Sequence, residues 1–316
     1  MKKNKLGHST LETAPVILGG NVFGWTADEK RSFEILDAFA AAGFNCIDTA
    51  DIYSRWAPGN KGGESETIIG KWLKKSGNRE KVIIATKTGG DTGKGKPDLS
   101  ARHVLQAAED SLKRLQTDYI DLYQSHFDDE TTPADETLEA YARLVKEGKV
   151  QFIGASNLSA ARIEESLKVS EQKKYPRYET VQPLYNLYDR EKFEKEYQPL
   201  CLAHNLSAIT YFSLANGFLT GKYRSVKDTH KSQRGDRAIK YFTPKGFRIL
   251  DALDKVSEQY NAKLAQIAIA WLIAQPAVAA AIASATSVEQ LNDLIAGANI
   301  ELDKNALDEL TRAGED

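Results

Sequence analysis

The sequence has few of the residues that build disulfide frameworks or metal sites. Only two of its 316 residues are cysteines, Cys46 and Cys201, and only five are histidines. Two cysteines inside apolar stretches argue against a disulfide scaffold and against a cysteine-rich metal site. His8, His103, His204 and His230 are too scattered along the chain to predict a zinc site. We therefore expect no metal, and we expect the protein to work in the reducing cytoplasm.

Long apolar runs and an excess of one charge are also missing. No segment approaches ~18 uninterrupted apolar residues, so no membrane span is expected. The basic N-terminus has no apolar run after it, and for that reason it does not resemble a signal peptide. The formal net charge is −2, so no overall field attracts nucleic acid or an anionic membrane. The expected partner is a small molecule.

Short β-branched runs alternate with longer amphipathic runs along the whole chain. The strand candidates are 14–18, 44–48, 82–86, 119–123, 150–154, 178–182, 206–211 and 277–282. Helical patterns cover 27–42, 64–76, a run opened by Ser100, 134–147 and 262–274. Gly43, Gly148 and Pro276 follow three of these patterns as stop signals. Alternating strands and helices predict parallel βαβ units.

Such units form either an open doubly wound sheet or a closed barrel. The open dinucleotide-binding sheet requires Gly-x-Gly-x-x-Gly after its first strand, and residues 19–24 read Gly-Gly-Asn-Val-Phe-Gly instead. Eight repeats without a linker or a change of composition favour one α/β domain over residues 1–316, a (β/α)₈ TIM barrel. The polar stretch 216–245 is expected to be a long loop.

Active-site groups of such a barrel project from the carboxyl ends of its strands. Asp48, Lys87 and His126 lie at three of these ends, and Tyr53 follows the first of them by five residues. A phenol has a pKa of about 10, too high for ready proton donation near neutral pH. A neighbouring ammonium would stabilise the phenolate, a carboxylate would hold the ammonium, and an imidazole would orient a substrate carbonyl. The four residues fit these roles in proton transfer.

The chain resembles the aldo-keto reductase family along nearly its full length. The motifs that carry the resemblance are Gly43 to Tyr53 (GFNCIDTADIY), Ile84 to Lys87 (IATK), Tyr119 to His126 (YIDLYQSH), Ile153 to Asn157 (IGASN) and Leu219 to Tyr223 (LTGKY). The resemblance implies carbonyl reduction by hydride transfer from a nicotinamide, with a catalytic tetrad of Asp48, Tyr53, Lys87 and His126. The similarity is greater to the branch that includes the potassium-channel β subunits than to the long-tailed aldose reductases.

The resemblance also implies where a cofactor binds. The carboxamide is expected at Ser156, Asn157 and Gln182, and the ring is expected to stack on Tyr211. Gly20, Asn21 and Asp48 are also expected to bind the cofactor. The pyrophosphate is expected at Phe212, Ser213, Leu214, Asn216 and Gly217, with Lys222 and Arg234 as cations. The adenosine end is expected at Ser284, Ala285, Thr286, Gln290 and Asp293, where a helix begins.

Ser284 and Gln290 bear on the choice between NADP and NAD. Many members of the family have Lys and Arg where this chain has Ser284 and Gln290, and those bases contact the 2′-phosphate of NADP. Other branches use Ser or Thr with Gln and still prefer NADP, and this chain resembles them. NADP(H) is therefore expected first and NAD(H) second, although Asp293 would repel a phosphate near the ribose.

Other interpretations of these residues stay open. Lys87 could form a Schiff base in an aldolase on the same barrel, and the chain could instead be a cofactor-binding regulatory subunit with little turnover. Residues 90–97 nearly read as a P-loop, but Pro97 stands where that motif needs a hydroxyl. The substrate pocket is expected to be lined by Trp25, Tyr53, Trp56, His126 and Phe127.

Overall fold

Eight parallel strands close into a barrel in the computed structural model, which describes residues 2–91, 93, 95–232 and 235–315. The strands in chain order are β1 (Asn4–Lys5), β2 (Glu12–Thr13), β3 (Val16–Gly19), β4 (Cys46–Asp48), β5 (Ile83–Thr88), β6 (Ile120–Ser125), β7 (Val150–Ser156), β8 (Tyr178–Gln182), β9 (Ser207–Thr210) and β10 (Val278–Ala283). Strands β3 to β10 pair in sequence order, and β10 closes the ring against β3. Each barrel strand overlaps one of the eight candidates, so the predicted (β/α)₈ fold is confirmed.

The helices lie between the strands and after the last one. They are α1 (Glu29–Ala41), α2 (Glu64–Ser76), α3 (Ala101–Leu115), α4 (Ala134–Lys146), α5 (Ala160–Lys173), α6 (Gln198–His204), α7 (Pro244–Tyr260), α8 (Leu264–Ile273), α9 (Val288–Gly297) and α10 (Lys304–Ala313). The predicted stop signals act as expected, because Gly43 and Gly148 adopt positive φ angles of 83° and 73° just after α1 and α4. The Ser100 hydroxyl accepts the His103 N–H and caps α3.

Side-chain alternation divides the core into two layers. Ile17, Cys46, Ala85, Leu122 and Ile209 belong to one buried apolar cluster inside the barrel. Their neighbours along the strands belong to a larger cluster that packs against the helices. Along each strand, alternate residues therefore point into the barrel and fill it, while the residues between them point outward and pack against the helices.

The N-terminal hairpin of β1 and β2 was not predicted. Leu6 and Leu11, in its turn, join the interior cluster. The Asn4 amide donates to the Ala279 carbonyl of β10 at 2.7 Å. The hairpin thus closes the amino-terminal end of the barrel, opposite the carboxyl ends of the strands.

The segment 216–245 is not a featureless loop. It contains three short 3₁₀ helices, Ala215–Thr220, Val226–Lys231 and Gly235–Tyr241, followed by the start of α7. Buried apolar residues such as Phe218 and Tyr241 stack on each other at 5.6 Å between ring centroids. Isolated aromatics in a polar stretch carry no clear period, which is why sequence patterns missed these turns. Within the described ranges, none of the helices combines the length and the apolar character that crossing a bilayer requires.

Candidate active site

The alternation that fills the barrel also directs polar side chains to its carboxyl rim. Asp48, Lys87 and Gln124 each lie two residues after an interior residue of the same strand, at 46, 85 and 122, and Tyr211 lies two residues after Ile209, directly beyond β9. Because side chains two apart on a strand share a face, these groups point into the top of the barrel. These polar side chains, which are distant in sequence, therefore meet in one small site.

Lys87 is the centre of this site. Its ammonium, fully buried, donates to Asp48 Oδ2 at 2.8 Å, to the Thr49 carbonyl at 2.8 Å and to the Tyr53 hydroxyl at 2.9 Å. The Tyr53 hydroxyl in turn donates to Asp48 Oδ2 at 3.3 Å. Thr49 was not predicted as part of the site, because a backbone carbonyl leaves no signature in the sequence. All three hydrogens of the ammonium have acceptors, so its position is well determined.

Burial controls the protonation of the pair. Burial, with Asp48 adding to it, raises the pKa of Tyr53 well above the usual range of a phenol. Burial also lowers the pKa of Lys87, and the Asp48 carboxylate opposes that shift. From the sequence, the ammonium was expected to lower the pKa of the phenol, but desolvation and the Asp48 carboxylate outweigh that effect here. Tyr53 therefore keeps its proton at neutral pH.

His126 completes the set of four. Its ring centroid lies 5.9 Å from that of Tyr53, and its backbone N–H donates to the Thr88 carbonyl at 2.7 Å. Burial, and then Lys87, lower the pKa of His126 well below 6.5, so the imidazole is neutral at pH 7. Within the described chain its Nδ1 is buried without a hydrogen-bond partner. A neutral imidazole beside the phenol can donate to a carbonyl oxygen without delivering a charge.

A second group of polar side chains adjoins the four. Gln182 Nε2 donates to Asp48 Oδ1 at 2.8 Å and to Gln124 Oε1 at 3.2 Å. Gln124 is fully buried, and its Nε2 has no partner among the described residues. Gln124 belongs to the motif from Tyr119 to His126, but no role was predicted for it. Its position at the carboxyl end of β6, two residues before His126, was the signal available.

The expected carboxamide residues form a continuous chain of hydrogen bonds. The Tyr211 hydroxyl donates to Asn157 Oδ1 at 2.8 Å, and Asn157 Nδ2 donates to the His126 carbonyl at 2.9 Å. The Ser156 hydroxyl donates to the Gln182 carbonyl at 3.0 Å. Asn157 adopts a positive φ of 54°, which turns its amide toward the rim. Donors and acceptors suited to a carboxamide thus lie beside the proton-transfer group.

The expected phosphate segment turns sharply after β9. Ala215, Asn216 and Gly217 have consecutive positive φ angles of 47°, 56° and 87°. A Cβ at Gly217 would lie 3.3 Å from Lys222 Nζ, so the amine lies directly over this turn. Ser213 is buried and its hydroxyl donates to the Ile282 carbonyl at 2.8 Å, while Phe212 and Leu214 flank it on the surface side. Arg234 lies outside the described residues.

The expected adenosine end lies where β10 meets β3. The Ser284 hydroxyl donates to Asn21 Oδ1, and the Gly20 N–H donates to the Asp48 carbonyl at 2.7 Å. The Thr286 N–H and hydroxyl both donate to Gln290 Oε1, at 3.0 and 3.1 Å. Between these residues, Ala285 is fully buried. Ser284, Thr286 and Gln290 thus line one edge of the rim.

Asp293 does not stand as an isolated negative charge. The Lys263 ammonium lies 2.9 Å from its carboxylate. This ion pair, between the N-cap of α8 and α9, balances the negative charge that would otherwise repel a phosphate.

The expected substrate residues form an aromatic rim. Trp25 meets Trp56 edge-on at 5.7 Å between centroids, and Trp56 lies 6.0 Å from Tyr53. Phe127 stacks on His126 at 4.6 Å. Trp56 is 44% exposed and Phe127 is 38% exposed, so both present apolar surface to the mouth of the site.

Comparison with known proteins agrees with this arrangement. Residues 15–315 match the model of the aldo/keto reductase family. The chain is 36% identical to the uncharacterized oxidoreductase YrpG of Bacillus subtilis, over 97% of this chain and 94% of the relative. It is 32% identical to Protein tas of Escherichia coli, over 98% and 96%, and 32% identical to a probable voltage-gated potassium channel subunit beta of Oryza sativa, over 92% and 89%.

Proposed function

The chain belongs to the aldo/keto reductase family and is therefore an oxidoreductase of small carbonyl compounds with a nicotinamide cofactor, and from that premise we propose that it reduces aldehydes or ketones to alcohols with Tyr53 as proton donor. One observation carries the proposal. The Tyr53 hydroxyl is held between Lys87 Nζ at 2.9 Å and Asp48 Oδ2 at 3.3 Å, at the open end of the barrel.

The side chains of the site can supply the proton that carbonyl reduction requires. Tyr53 keeps its proton at neutral pH and releases it only to a strong base, such as the alkoxide oxygen that forms when a carbonyl accepts a hydride. The buried ammonium of Lys87 stabilises the phenolate left behind, and Asp48 keeps the ammonium in place. Neutral His126 donates a hydrogen bond that orients the substrate oxygen. A bound nicotinamide supplies the hydride.

The residues present suit such a cofactor. Asn157, Ser156 and Gln182 offer amide and hydroxyl groups beside Asp48, and the buried Gln124 Nε2 lacks an acceptor within the described chain. Gly20 lets the backbone pack closely against the end of β4, because a Cβ there would lie 2.7 Å from Ser65 Oγ and 3.1 Å from the Asp48 carbonyl. Tyr211 would support one face of the ring, and Lys222 would face the pyrophosphate.

The same geometry disfavours Schiff-base chemistry. A lysine nucleophile needs a neutral amine with a free lone pair and room for a substrate carbon. Lys87 is fully buried, and its three hydrogens are directed to Asp48, Thr49 and Tyr53. Any substrate would have to displace one of these contacts. Tyr53, which is partly exposed, is the group that a substrate can reach.

We propose that the substrate carries an apolar group next to its carbonyl. Trp25, Trp56 and Phe127 surround the approach to Tyr53 with apolar surface. A panel of aromatic, long aliphatic and short aliphatic carbonyls, each with NADPH and with NADH, tests this by loss of absorbance at the reduced-cofactor band. Turnover that is highest for the aromatic and long aliphatic members is expected. Absence of turnover across the panel, with cofactor bound, would favour the regulatory alternative.

NADP(H) is proposed as the preferred cofactor. Thr286, Gln290 and Lys222 provide polar contacts, and Lys263 balances the charge of Asp293. Two hydrogen bonds to a charged phosphate would favour NADPH about a hundredfold in Kd. Fluorescence titration of both reduced cofactors at one ionic strength measures the preference. Equal affinities, or tighter NADH, would contradict it.

A further inference from the structure

The first turn of α1 brings a cation to the adenosine end of the candidate site. Because β3 and β10 are neighbours in the barrel, the helices that follow them, α1 and α9, begin side by side. Arg31 lies in the first turn of α1, and its Nη1 donates to the Thr286 carbonyl at 3.4 Å, across 255 positions of sequence. The guanidinium is therefore held next to the loop that leads into α9.

The charge of Arg31 is not used by a neighbour. Throughout the described residues, no carboxylate lies within ion-pair distance of its guanidinium, and Asp28 accepts only its backbone N–H, at 2.8 Å. The other cation in this region, Lys263, is bound to Asp293, which raises the pKa of the amine, with a smaller contribution from Glu289. Among the described residues that flank Thr286, Arg31 is thus a cation without a carboxylate partner, and four of its five N–H donors remain for a ligand.

Donors already converge beside Arg31. The Thr286 N–H and Thr286 hydroxyl both point at one acceptor oxygen, Gln290 Oε1, at 3.0 and 3.1 Å. The site lies at the start of α9, which the Ser287 hydroxyl caps. A phosphate oxygen accepts such hydrogen bonds more strongly than an amide oxygen does, because it carries charge. If the Gln290 side chain turns aside, the two Thr286 donors and the Arg31 guanidinium face one phosphate.

We infer that Arg31 selects NADP over NAD by binding the 2′-phosphate of the cofactor. The inference rests on the proposed function, since it needs the adenosine end at Thr286 and Gln290. NAD carries a neutral hydroxyl at the same position, from which an arginine gains little. The charge that other sequences place within the loop itself is supplied in this chain from a different helix.

The test is a cofactor titration that does not depend on turnover. Kd values for NADPH and NADH are measured by fluorescence for the wild type and for Arg31→Met, at one ionic strength. We expect the NADPH Kd to rise about tenfold in the variant, the effect of losing one charge-assisted hydrogen bond, and the NADH Kd to stay within about twofold. Arg31→Lys should fall between the two proteins, because it keeps the charge without the planar donors.

Lys30→Met is the matched control. Lys30 is exposed and adjacent, so the control loses the same charge one position away and should bind NADPH like the wild type. Unchanged NADPH affinity in Arg31→Met, with NADPH still preferred, would overturn the inference and leave the proposed function intact. Equal weakening of both cofactors would also overturn it, since it would mean that Arg31 only supports the loop. A wild type that binds neither cofactor would refute the proposed function itself.

Discussion

Tyr53→Phe removes a single oxygen atom from the candidate site, and we expect carbonyl reduction to fall about 10²–10⁴-fold. The structure indicates why little else should change. Lys87 keeps its contacts to Asp48 and to the Thr49 carbonyl, both at 2.8 Å, so the ammonium stays in place. The phenyl ring can keep its packing against Trp56 and His126. What is lost is the proton and the atom that carries it to the substrate.

The expected cost to folding is moderate. The Tyr53 hydroxyl forms hydrogen bonds with Lys87 and Asp48, which are charged, and each hydrogen bond to a charged group contributes about 1.5–3 kcal/mol. A matched control is Tyr188→Phe, whose hydroxyl bonds to Thr243 Oγ1 at 3.1 Å, away from the four. We expect Tm to fall in both variants, by more in Tyr53→Phe because its partners are charged, and turnover to be lost only in Tyr53→Phe.

The assay follows NADPH oxidation with the best carbonyl of the panel, together with a fluorescence titration of NADPH. Deuterated NADPH shows by its kinetic isotope effect whether hydride transfer limits the rate. If Tyr53→Phe keeps more than a tenth of the wild-type rate while hydride transfer is limiting, Tyr53 is not the proton donor. If instead NADPH binding is lost in parallel, the phenol has a binding role that the proposed mechanism does not include.

Two further predictions concern Lys87 and Asp51. Lys87→Met should lose about as much activity as Tyr53→Phe, and borohydride treatment of the wild type with a carbonyl substrate should leave Lys87 unmodified, whereas a covalent adduct there would establish Schiff-base chemistry. Burial, then Glu66, raise the pKa of Asp51 to about 8, and its Oδ1 is buried with no partner in the described chain. Its folded-state pKa is above its unfolded one, so its contribution to stability is complete below about pH 4 and is lost as the pH rises to about 8. Between pH 5 and pH 8, the free energy of unfolding measured in urea should fall less in Asp51→Asn than in the wild type, by more than about 1 kcal/mol. An equal fall in the two proteins would refute the raised pKa of Asp51.

Local patterns in the sequence were sufficient for the barrel and for the members of its rim. Strand periodicity and helix stop signals depend on neighbours a few residues apart, so Gly43 and Gly148 end helices as expected. Because parallel strands share one carboxyl edge, Asp48 and Lys87 could be placed together before any distance was known. The chemistry of the side chains then predicted their roles in proton transfer, and the family resemblance implied the same four residues.

Tertiary structure decided what depends on contacts distant in sequence and on solvent exclusion. The raised pKa of Tyr53 follows from desolvation, which no motif encodes. The ion pair with Lys263 balances the negative charge of Asp293, which in the sequence had no visible partner. Arg31 meets Thr286 because closure of the barrel brings its first and last strands together. The sequence alone determines which groups reach the rim, and the closed barrel determines which of their charges remain free to bind a ligand.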